Sequence, residues 1–194
     1  MRKASGTFCI VLLLIISNVS GEACIRYDHS STCTSYPITD FYFGLPVSQP
    51  DNIISREGDM TTNLGWMFVL NESYDLGPSL FFSAYKSSDG WHSQLGVRAN
   101  LRYHLDNEFH LELSPGLILT DSPFPDGFAG YSAELSVSWK DWVGLATRLD
   151  FVDTFESGHD HVLHISLRFG SYAGMGLTSA GIIGGGLAYM ESRR

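Results

Sequence analysis

The sequence predicts an all-β protein, an eight-stranded antiparallel up-and-down transmembrane β-barrel. Three observations predict this fold class. Apolar and polar residues alternate with a period of two over long stretches, as they do in β-strands. Short and long connections alternate between successive strand candidates, as in barrels that cross a membrane. The chain of 194 residues holds 20 glycines and 13% aromatic residues, and it shows no long helical pattern.

The clearest alternation lies in the stretch WHSQLGVRANLRYHLDNEFHLELSPGLILT, residues 91–120. Its apolar row comprises Leu95, Val97, Ala99, Leu101, Tyr103 and Leu105, and then Phe109, Leu111, Leu113, Pro115, Leu117 and Leu119. The opposite row comprises Gln94, Gly96, Arg98, Asn100, Arg102 and His104, and then His110, Glu112, Ser114, Gly116 and Ile118. Two antiparallel strands joined by a tight turn explain this pattern.

Eight segments are predicted as strands. They lie at residues 38–47, 60–71, 77–87, 91–105, 108–120, 128–139, 142–154 and 161–172. The later strands keep the alternation. Among the first three the pattern is weaker: strand two has an apolar row of Leu64, Trp66, Phe68 and Leu70. The segments FYFGL and LFFSAY fit either orientation.

The connections differ between the two ends of the predicted barrel. Those after strands two, four and six are NESYDLGP, LDN and KD, and the last two are very short. Those after strands one, three, five and seven are SQPDNIISREGD, SSDG, DSPFPDG and FESGHD, which are mostly longer and rich in turn residues. Outer-membrane barrels have short periplasmic turns and longer extracellular loops. The strand parity therefore predicts that both termini lie in the periplasm.

The polar rows contain the two kinds of residue expected inside a narrow barrel. Small residues ease crowding there, because the interior of eight strands is just wide enough for side chains. They are Gly96, Ser114, Gly116, Gly130, Ser132, Ser136, Ser138, Gly144, Ala146 and Ser166. Charges of both signs are expected to pair between neighbouring strands, because isolated buried charges are costly. They are Arg98, Arg102, Glu112, Glu134, Arg148, Asp150 and Arg168. We predict that the polar rows face the lumen and the apolar rows face lipid.

Strand length and aromatic positions also favour a membrane barrel. Strands of about 12 residues, rising about 3.3 Å per residue and tilted about 40°, span roughly 30 Å. The apolar band of an outer-membrane barrel is about 25 Å tall. Tyr103 and Phe109 flank one short turn, and Trp139 and Trp142 flank another. Aromatic side chains at strand ends are typical of a membrane interface.

The first 23 residues are predicted to be a secretory signal peptide. Arg2 and Lys3 precede an apolar run at residues 8–16, and Gly21 and Ala23 supply the small residues of a cleavage site. Removal of residues 1–23 from a chain with 12 Lys and Arg and 21 Asp and Glu leaves 10 and 20, a net charge near −10. The sequence has no basic stripe, which argues against nucleic-acid binding.

Two further segments flank the predicted barrel at residues 38–172. Residues 24–37 are predicted to be irregular, with Cys24 either disulfide-bonded to Cys33 or lipidated after cleavage. Residues 173–194 form a glycine-rich extension. This extension could lengthen strand eight, add a strand ending near Tyr189 or form a helix.

The stretch LGVRANLRYHLDNEFHLELSPGL resembles the strand–turn–strand units of small outer-membrane β-barrel proteins, the group that includes OmpW-like and OmpA-like barrels. The resemblance covers roughly residues 38–172, is architectural and carries no diagnostic motif. It implies an outer-membrane location in a Gram-negative cell envelope. The expected partners are outer-membrane lipid and lipopolysaccharide.

One pair of residues suggests catalysis. Outer-membrane lipid A deacylases are similar small barrels that use a His-x-Ser pair with a carboxylate on the lipid-facing surface, and His164-Ile165-Ser166 has that spacing. Both side chains, however, share the predicted inward row of strand eight, and the next carboxylate in sequence is Glu191. A nucleophilic serine needs a base within hydrogen-bond reach and access to its substrate. We therefore expect His164 and Ser166 to fill the lumen.

Two other groups were weighed as sites. His159, Asp160 and His161 could hold a metal ion, but they lie together on one predicted loop and are expected to be solvated. Glu112 and Glu134 could act as an acid/base pair, but the arginines in the same rows make them salt-bridge partners. The sequence thus predicts no catalytic residue, no metal site and no cofactor.

The resulting hypothesis is an integral outer-membrane β-barrel of structural or unassigned envelope role, without a wide pore and without enzymatic activity. The first alternative is a lipid-modifying outer-membrane enzyme, such as a lipid A deacylase-like barrel. The second is a secreted soluble barrel that binds an apolar ligand. That last class requires the apolar rows to face the lumen.

Overall fold

The computed structural model of the chain describes residues 34–49, 56–87, 90–121, 130–154, 158–170, 174 and 176, with the side chains of residues 153–160 outside this description. The predicted signal peptide, the predicted Cys24–Cys33 loop and most of the glycine-rich extension lie outside the described residues. No helix in the described part is long and apolar enough to cross a membrane.

All eight predicted strands are present. In chain order they are β1 Ser35–Ser48, β2 Arg56–Val69, β3 Tyr74–Ser87, β4 Gly90–His104, β5 Phe109–Asp121, β6 Gly130–Trp139, β7 Val143–Thr154 and β8 Gly158–Phe169. The eighth strand ends three residues before the predicted boundary. There the Gly170 N–H donates to the carbonyl oxygen of Trp142 at 3.0 Å, which ties the end of β8 to the turn between β6 and β7.

The strands form a closed barrel in sequence order, in which β1 pairs with β8. Every pair is antiparallel. Following the paired residues once around the barrel from Ser35 leads back to Leu45, a stagger of ten residues along β1. Such a stagger accompanies strands tilted about 40° to the barrel axis. The predicted fold class, an eight-stranded up-and-down barrel, is confirmed.

The apolar rows face outward and the polar rows face the lumen. Leu113 and Leu135 are 47% and 53% exposed, whereas their neighbours Glu112 and Glu134 are 1% and 3% exposed. The soluble-barrel alternative needs the opposite arrangement and does not fit this structure. In the segments FYFGL and LFFSAY, which fitted either orientation, every second side chain faces the lumen. The inward side chains include Tyr42, Phe81 and Tyr85.

Gly96 makes room for one of these large inward side chains. A Cβ atom at Gly96 would overlap the ring of Phe81 and the carbonyl oxygen of Leu117. Phe81 in turn is 1% exposed, so its ring is enclosed by the barrel interior. The small residues of the inward rows thus compensate for the large ones, as the narrow interior requires.

We predict that Gly96→Val destabilises the barrel by about 1–3 kcal/mol, because overpacking a filled interior forces side chains and backbone to shift. The measurement is urea-induced unfolding of the refolded protein. Gly58→Val is the matched control, since a Cβ atom there would meet its nearest neighbours at 3.6 and 3.7 Å, ordinary contact distances. Equal losses of stability in the two variants would contradict the packing argument.

Candidate functional site

The candidate site is the lumen, where the described strands place their buried charged side chains. Within the described strands it holds five arginines, Arg56, Arg98, Arg102, Arg148 and Arg168. It also holds seven carboxylates, Asp40, Asp59, Asp75, Glu112, Asp121, Glu134 and Asp150. Each of these residues is at most 4% exposed. Charges this deeply buried are tolerated only when they are paired.

The Arg168 cluster lies toward the end of the barrel that carries the short turns. It comprises Arg168, Arg102, Asp40, Glu112 and Asp141. Nη2 of Arg168 lies 2.9 Å from Oδ1 of Asp40 and 3.4 Å from Oε2 of Glu112. Nη2 of Arg102 lies 2.7 Å from the same Glu112 oxygen and 3.3 Å from Oδ1 of Asp141. The cluster therefore joins β1, β4, β5 and β8 with the turn between β6 and β7.

Aromatic and imidazole groups extend this cluster to the mouth of the barrel. The Tyr36 hydroxyl donates to Oδ2 of Asp75 at 2.6 Å, and Nη1 of Arg102 donates to the Tyr36 hydroxyl at 3.4 Å. Nε2 of His104 lies 2.7 Å from the same Asp75 oxygen. The side chain of His104 is 17% exposed, whereas that of Asp75 is fully buried. The groups that line the mouth are thus hydrogen-bonded to one another.

The Arg148 cluster lies toward the opposite end and comprises Arg148, Arg56, Asp59, Asp150 and Asp121. Nη2 of Arg148 lies 2.6 Å from Oδ2 of Asp59, and its Nε lies 3.3 Å from Oδ1 of Asp150. Nη1 of Arg56 lies 3.3 Å from Oδ2 of Asp150, and its Nη2 lies 3.5 Å from Oδ2 of Asp121. Two arginines therefore share three carboxylates drawn from β2, β5 and β7.

A separate ion pair, Arg98 with Glu134, lies between these two clusters. Nη1 of Arg98 donates to Oε2 of Glu134 at 2.8 Å, and the guanidinium carbon lies 4.2 Å from the centre of the Phe81 ring. Arg98 is on β4 and Glu134 is on β6, so the pair spans the intervening strand β5. An arginine above an aromatic ring gains a cation–π contact in addition to its ion pair.

Arginines pair with glutamates in the lumen, but the prediction that the partners lie on adjacent strands holds only for Arg102 on β4 and Glu112 on β5. The other two pairs join strands that are not adjacent, because the side chains reach across the narrow lumen. Glu112 contacts Arg102 and Arg168, and Glu134 contacts Arg98. These contacts match the expectation that Glu112 and Glu134 are salt-bridge partners, which the sequence analysis preferred to an acid/base pair. Sequence reasoning missed the partners on β1, β2 and β3, which are Asp40, Asp59 and Asp75. Their strands show the weakest alternation, and Asp59 and Asp75 lie just outside the predicted strands at residues 60–71 and 77–87.

His164 and Ser166 both point into the lumen, as predicted. His164 is fully buried, with Nδ1 3.5 Å from Oδ1 of Asp59 and Nε2 3.7 Å from Oδ2 of Asp150. The structure thus brings two carboxylates to the imidazole that no spacing in the sequence indicated. Within the described strands no hydrogen bond joins Ser166 to His164. The pair lies on the inner face, separated by the barrel wall from the apolar outer surface.

The predicted His159–Asp160–His161 group is only partly visible. The side chains of His159 and Asp160 lie outside the described residues, while His161 is exposed. Among the residues that the structure does describe, no three His, Cys, Asp or Glu side chains are arranged to hold a metal ion.

The outer surface at the short-turn end carries aromatic rings. The rings of Tyr74 and Tyr103 lie 4.9 Å apart, and the flanking side chains of Phe109, Trp139 and Trp142 are 43–50% exposed. The turns beside them are polar. The N–H groups of Glu108 and Phe109 both donate to Oδ1 of Asp106 at 2.7 Å, which lowers the pKa of Asp106. A hydrogen bond from Lys140 lowers the pKa of Glu108.

No protein-family model matches the sequence, and no curated protein matches it. Among solved structures, a de novo designed transmembrane β-barrel matches with a TM-score of 0.40 and 9% identity, covering 69% of this chain and 93% of that one. The outer membrane protein Ail of Yersinia pestis in a phospholipid bilayer nanodisc matches with a TM-score of 0.42 and 9% identity, covering 71% and 99%. The crystal structure of the same attachment invasion locus protein gives 0.43 and 8%, covering 71% and 98%.

We predict that Glu134→Leu costs about 3–5 kcal/mol, because it leaves the guanidinium of Arg98 buried without its carboxylate. Arg98→Met combined with Glu134→Leu should recover most of this loss, since the double variant buries no unpaired charge. Urea-induced unfolding measures all three proteins. A double variant as unstable as Glu134→Leu would contradict the pairing.

Lys86→Met is the control for the same experiment. Lys86 and Glu57 form an ion pair on the outside, 2.5 Å long, with side chains 53% and 50% exposed. Exposed pairs contribute about 0–1 kcal/mol, so this change should have little effect on the free energy of unfolding.

We predict that production of the protein in a Gram-negative host leaves the acylation pattern of lipid A unchanged. The reason is that His164 and Ser166 face the lumen, where an acyl chain of the bilayer does not reach. Mass spectrometry of extracted lipid A, with an empty vector as control, measures the pattern. Loss of an acyl chain that Ser166→Ala abolishes would establish the enzyme instead.

Proposed function

We propose that the protein is an integral outer-membrane β-barrel with a sealed lumen and a structural role in the envelope of a Gram-negative cell. The observation that carries this proposal is the inversion of polarity between the two faces of the barrel wall. A soluble domain hides its apolar rows, whereas this barrel exposes them and buries its charges. Lipid is the solvent in which such an arrangement is stable.

The apolar surface surrounds the barrel, because every strand contributes to it. Exposed side chains include Leu45 on β1, Leu64 and Phe68 on β2, Leu80 and Phe82 on β3, Leu101 on β4, Leu113 on β5, Leu135 on β6, Leu145 on β7 and Leu167 on β8. Contiguous exposed patches on soluble monomers rarely exceed a few hundred Å². Strands of 10–15 residues, tilted about 40°, are long enough to carry such a belt across an apolar band of about 25 Å.

The backbone also meets the requirement of a membrane. Hydrocarbon offers no hydrogen bonds, so a chain that crosses it as strands needs a closed sheet without free edges. Pairing of β1 with β8 closes the ring. The aromatic rings at the short-turn end would then lie at one interface, next to the polar turns at residues 105–108 and 140–142.

The ion pairs that cross the lumen argue against a wide pore. Arginines reach carboxylates on non-neighbouring strands, as Arg168 does with Glu112 and as Arg98 does with Glu134. Side chains fill the interior of an eight-stranded barrel. We therefore assign the protein a scaffold role, with its contacts to lipid and lipopolysaccharide on the outer wall and the termini in the periplasm.

We predict that environment-sensitive probes at Leu113→Cys and Leu135→Cys are quenched by brominated lipid after refolding into vesicles. Probes at Ser114→Cys and Ser136→Cys should escape quenching, because these neighbouring side chains are both 2% exposed and face the lumen. All four variants carry Cys24→Ser and Cys33→Ser so that each protein has one thiol beyond the signal peptide. Fluorescence in vesicles with and without brominated lipid is the measurement.

The reverse pattern, with Ser114 and Ser136 quenched and the leucine positions protected, would refute the membrane orientation. A protein that stays in solution without detergent, and migrates identically on a gel before and after boiling, would refute the membrane barrel itself. Folded barrels of this kind resist detergent and are expected to migrate differently when unheated.

A further inference from the structure

The seam where β1 meets β8 is short and irregular. Among the described residues, seven pairs join β1 to β8, whereas ten join β1 to β2 and twelve join β7 to β8. The register of the seam also shifts between Pro46 and Ser48. Pro46 has no N–H group and so cannot donate a hydrogen bond to the ladder. Backbone pairing therefore holds this seam less extensively than it holds the ladders on either side.

An ion pair inside the lumen spans the seam. Nη2 of Arg148 on β7 lies 2.6 Å from Oδ2 of Asp59 on β2. The two strands of the seam, β1 and β8, lie between β2 and β7 in the barrel. Nη1 of Arg148 also donates to Oγ1 of Thr61 on β2 at 2.6 Å, and that hydroxyl oxygen lies 3.2 Å from Oδ2 of Asp59. Charge-assisted hydrogen bonds thus connect β2 with β7 over both strands of the seam.

His164 adds a contact from within the seam itself. Its Nδ1 lies 3.5 Å from Oδ1 of Asp59, while Arg148 holds the other oxygen of the same carboxylate. In the ladder, His164 pairs with Pro46 of β1. The contact between β2 and β8 therefore lies at the level where the backbone of the seam has its proline and its register shift.

Small residues leave room for these side chains to meet. Gly44 on β1 pairs with Asp59 on one side and with Ser166 on the other, and Ser166 pairs with Ala146 on β7. A Cβ atom at Gly44 would overlap Oδ1 of Asp59 and lie 2.6 Å from Oγ of Ser166. The row of Gly44, Ser166 and Ala146 thus forms a low inner surface on three strands, over which Asp59 and Arg148 reach each other.

We propose that Asp59, Thr61, Arg148 and His164 form a clasp that closes the seam between β1 and β8 from inside the lumen, and that this seam is the part of the wall that opens first when the clasp is broken. The four residues of the clasp are at most 4% exposed, so water competes little for their hydrogen bonds. The inference goes beyond the scaffold role proposed above, because it assigns one defined place of opening to the barrel.

The seam needs such a clasp more than the other ladders do. It joins the first and the last strand, so no hairpin turn between them fixes their register. An open seam would leave unpaired backbone groups in hydrocarbon and a free edge that strands of other molecules could pair with. It would also bring the buried charges of the lumen next to lipid, where they are costly.

Hydrogen–deuterium exchange of the refolded protein in detergent micelles measures opening strand by strand. In the parent, we expect the amides of residues 41–45 and 165–169 at the seam to exchange faster than those of residues 79–83 and 94–98, which pair β3 with β4. This comparison tests the seam as the first place of opening.

Thr61→Val tests the clasp with little change in side-chain volume. Loss of the hydroxyl leaves Arg148 and Asp59 each without one buried partner, so exchange at the seam should rise by about tenfold while exchange between β3 and β4 stays unchanged. Thr147→Val is the matched control, because Thr147 is exposed on the outer face of β7 and its hydroxyl donates only to the Leu135 carbonyl oxygen at 3.4 Å. It should leave the seam as in the parent.

Gly44→Ala tests the passage over the seam. The added methyl group should displace Asp59 from His164, and exchange at the seam should again rise by about tenfold or more. Gly116→Ala is the control for crowding of the inner wall elsewhere. A Cβ atom at Gly116 would lie 2.5 Å from the Val97 carbonyl oxygen and 2.6 Å from Cγ of Arg98, away from the seam.

A disulfide across the seam separates its opening from a general loss of stability. Leu45→Cys and Ile165→Cys introduce outward-facing register partners, in a background free of other thiols beyond the signal peptide. Facing Cα atoms of antiparallel strands are about 4.5–5.5 Å apart, which a disulfide can bridge. In Thr61→Val the oxidised tether should return exchange at the seam to the level of the parent. A tether between Leu101→Cys and Leu113→Cys, on β4 and β5, should not.

Acceleration spread evenly around the barrel in Thr61→Val, or acceleration that begins between β3 and β4, would overturn the clasp. Seam amides in the parent that are as well protected as those of β3 and β4 would overturn the seam as the first place of opening. A failure of the proposed function would appear separately, as probes at positions 113 and 135 that brominated lipid does not quench, because the exchange comparison is made in micelles and does not depend on the bilayer.

Discussion

The buried arginines are the constraint on which the rest of this structure depends. A guanidinium keeps its charge at any accessible pH, so each one inside the lumen needs a carboxylate at short range. Arg168 finds Asp40 and Glu112, which lie 128 and 56 residues away in the chain. Because a one-residue slip would turn every side chain of a strand to the other face, these contacts set the register of the closed ring.

Pairing inside the barrel also explains its outside. With most charges and hydroxyls turned inward, the alternate residues of every strand face outward, and most of them are leucine, valine, phenylalanine and other apolar types. The wall is therefore inverted relative to a soluble domain, and the same wall contains His164 and Ser166 on its inner side. One packing rule accounts for the proposed location, for the proposed sealed interior and for the absence of a lipid-facing His–Ser pair among the described residues.

What the sequence by itself determined is the set of strands and the orientation of most of them. The period of two is a local property, so the row of Leu113 and Leu135 could be separated from that of Glu112 and Glu134 without knowledge of their neighbours. What only the tertiary structure decided is which side chains form contacts across the lumen, such as Asp59 with Arg148 and Arg98, across β5, with Glu134. The physical reason is that these contacts depend on the stagger of the closed barrel, which is a property of all eight strands together and is encoded in no single segment.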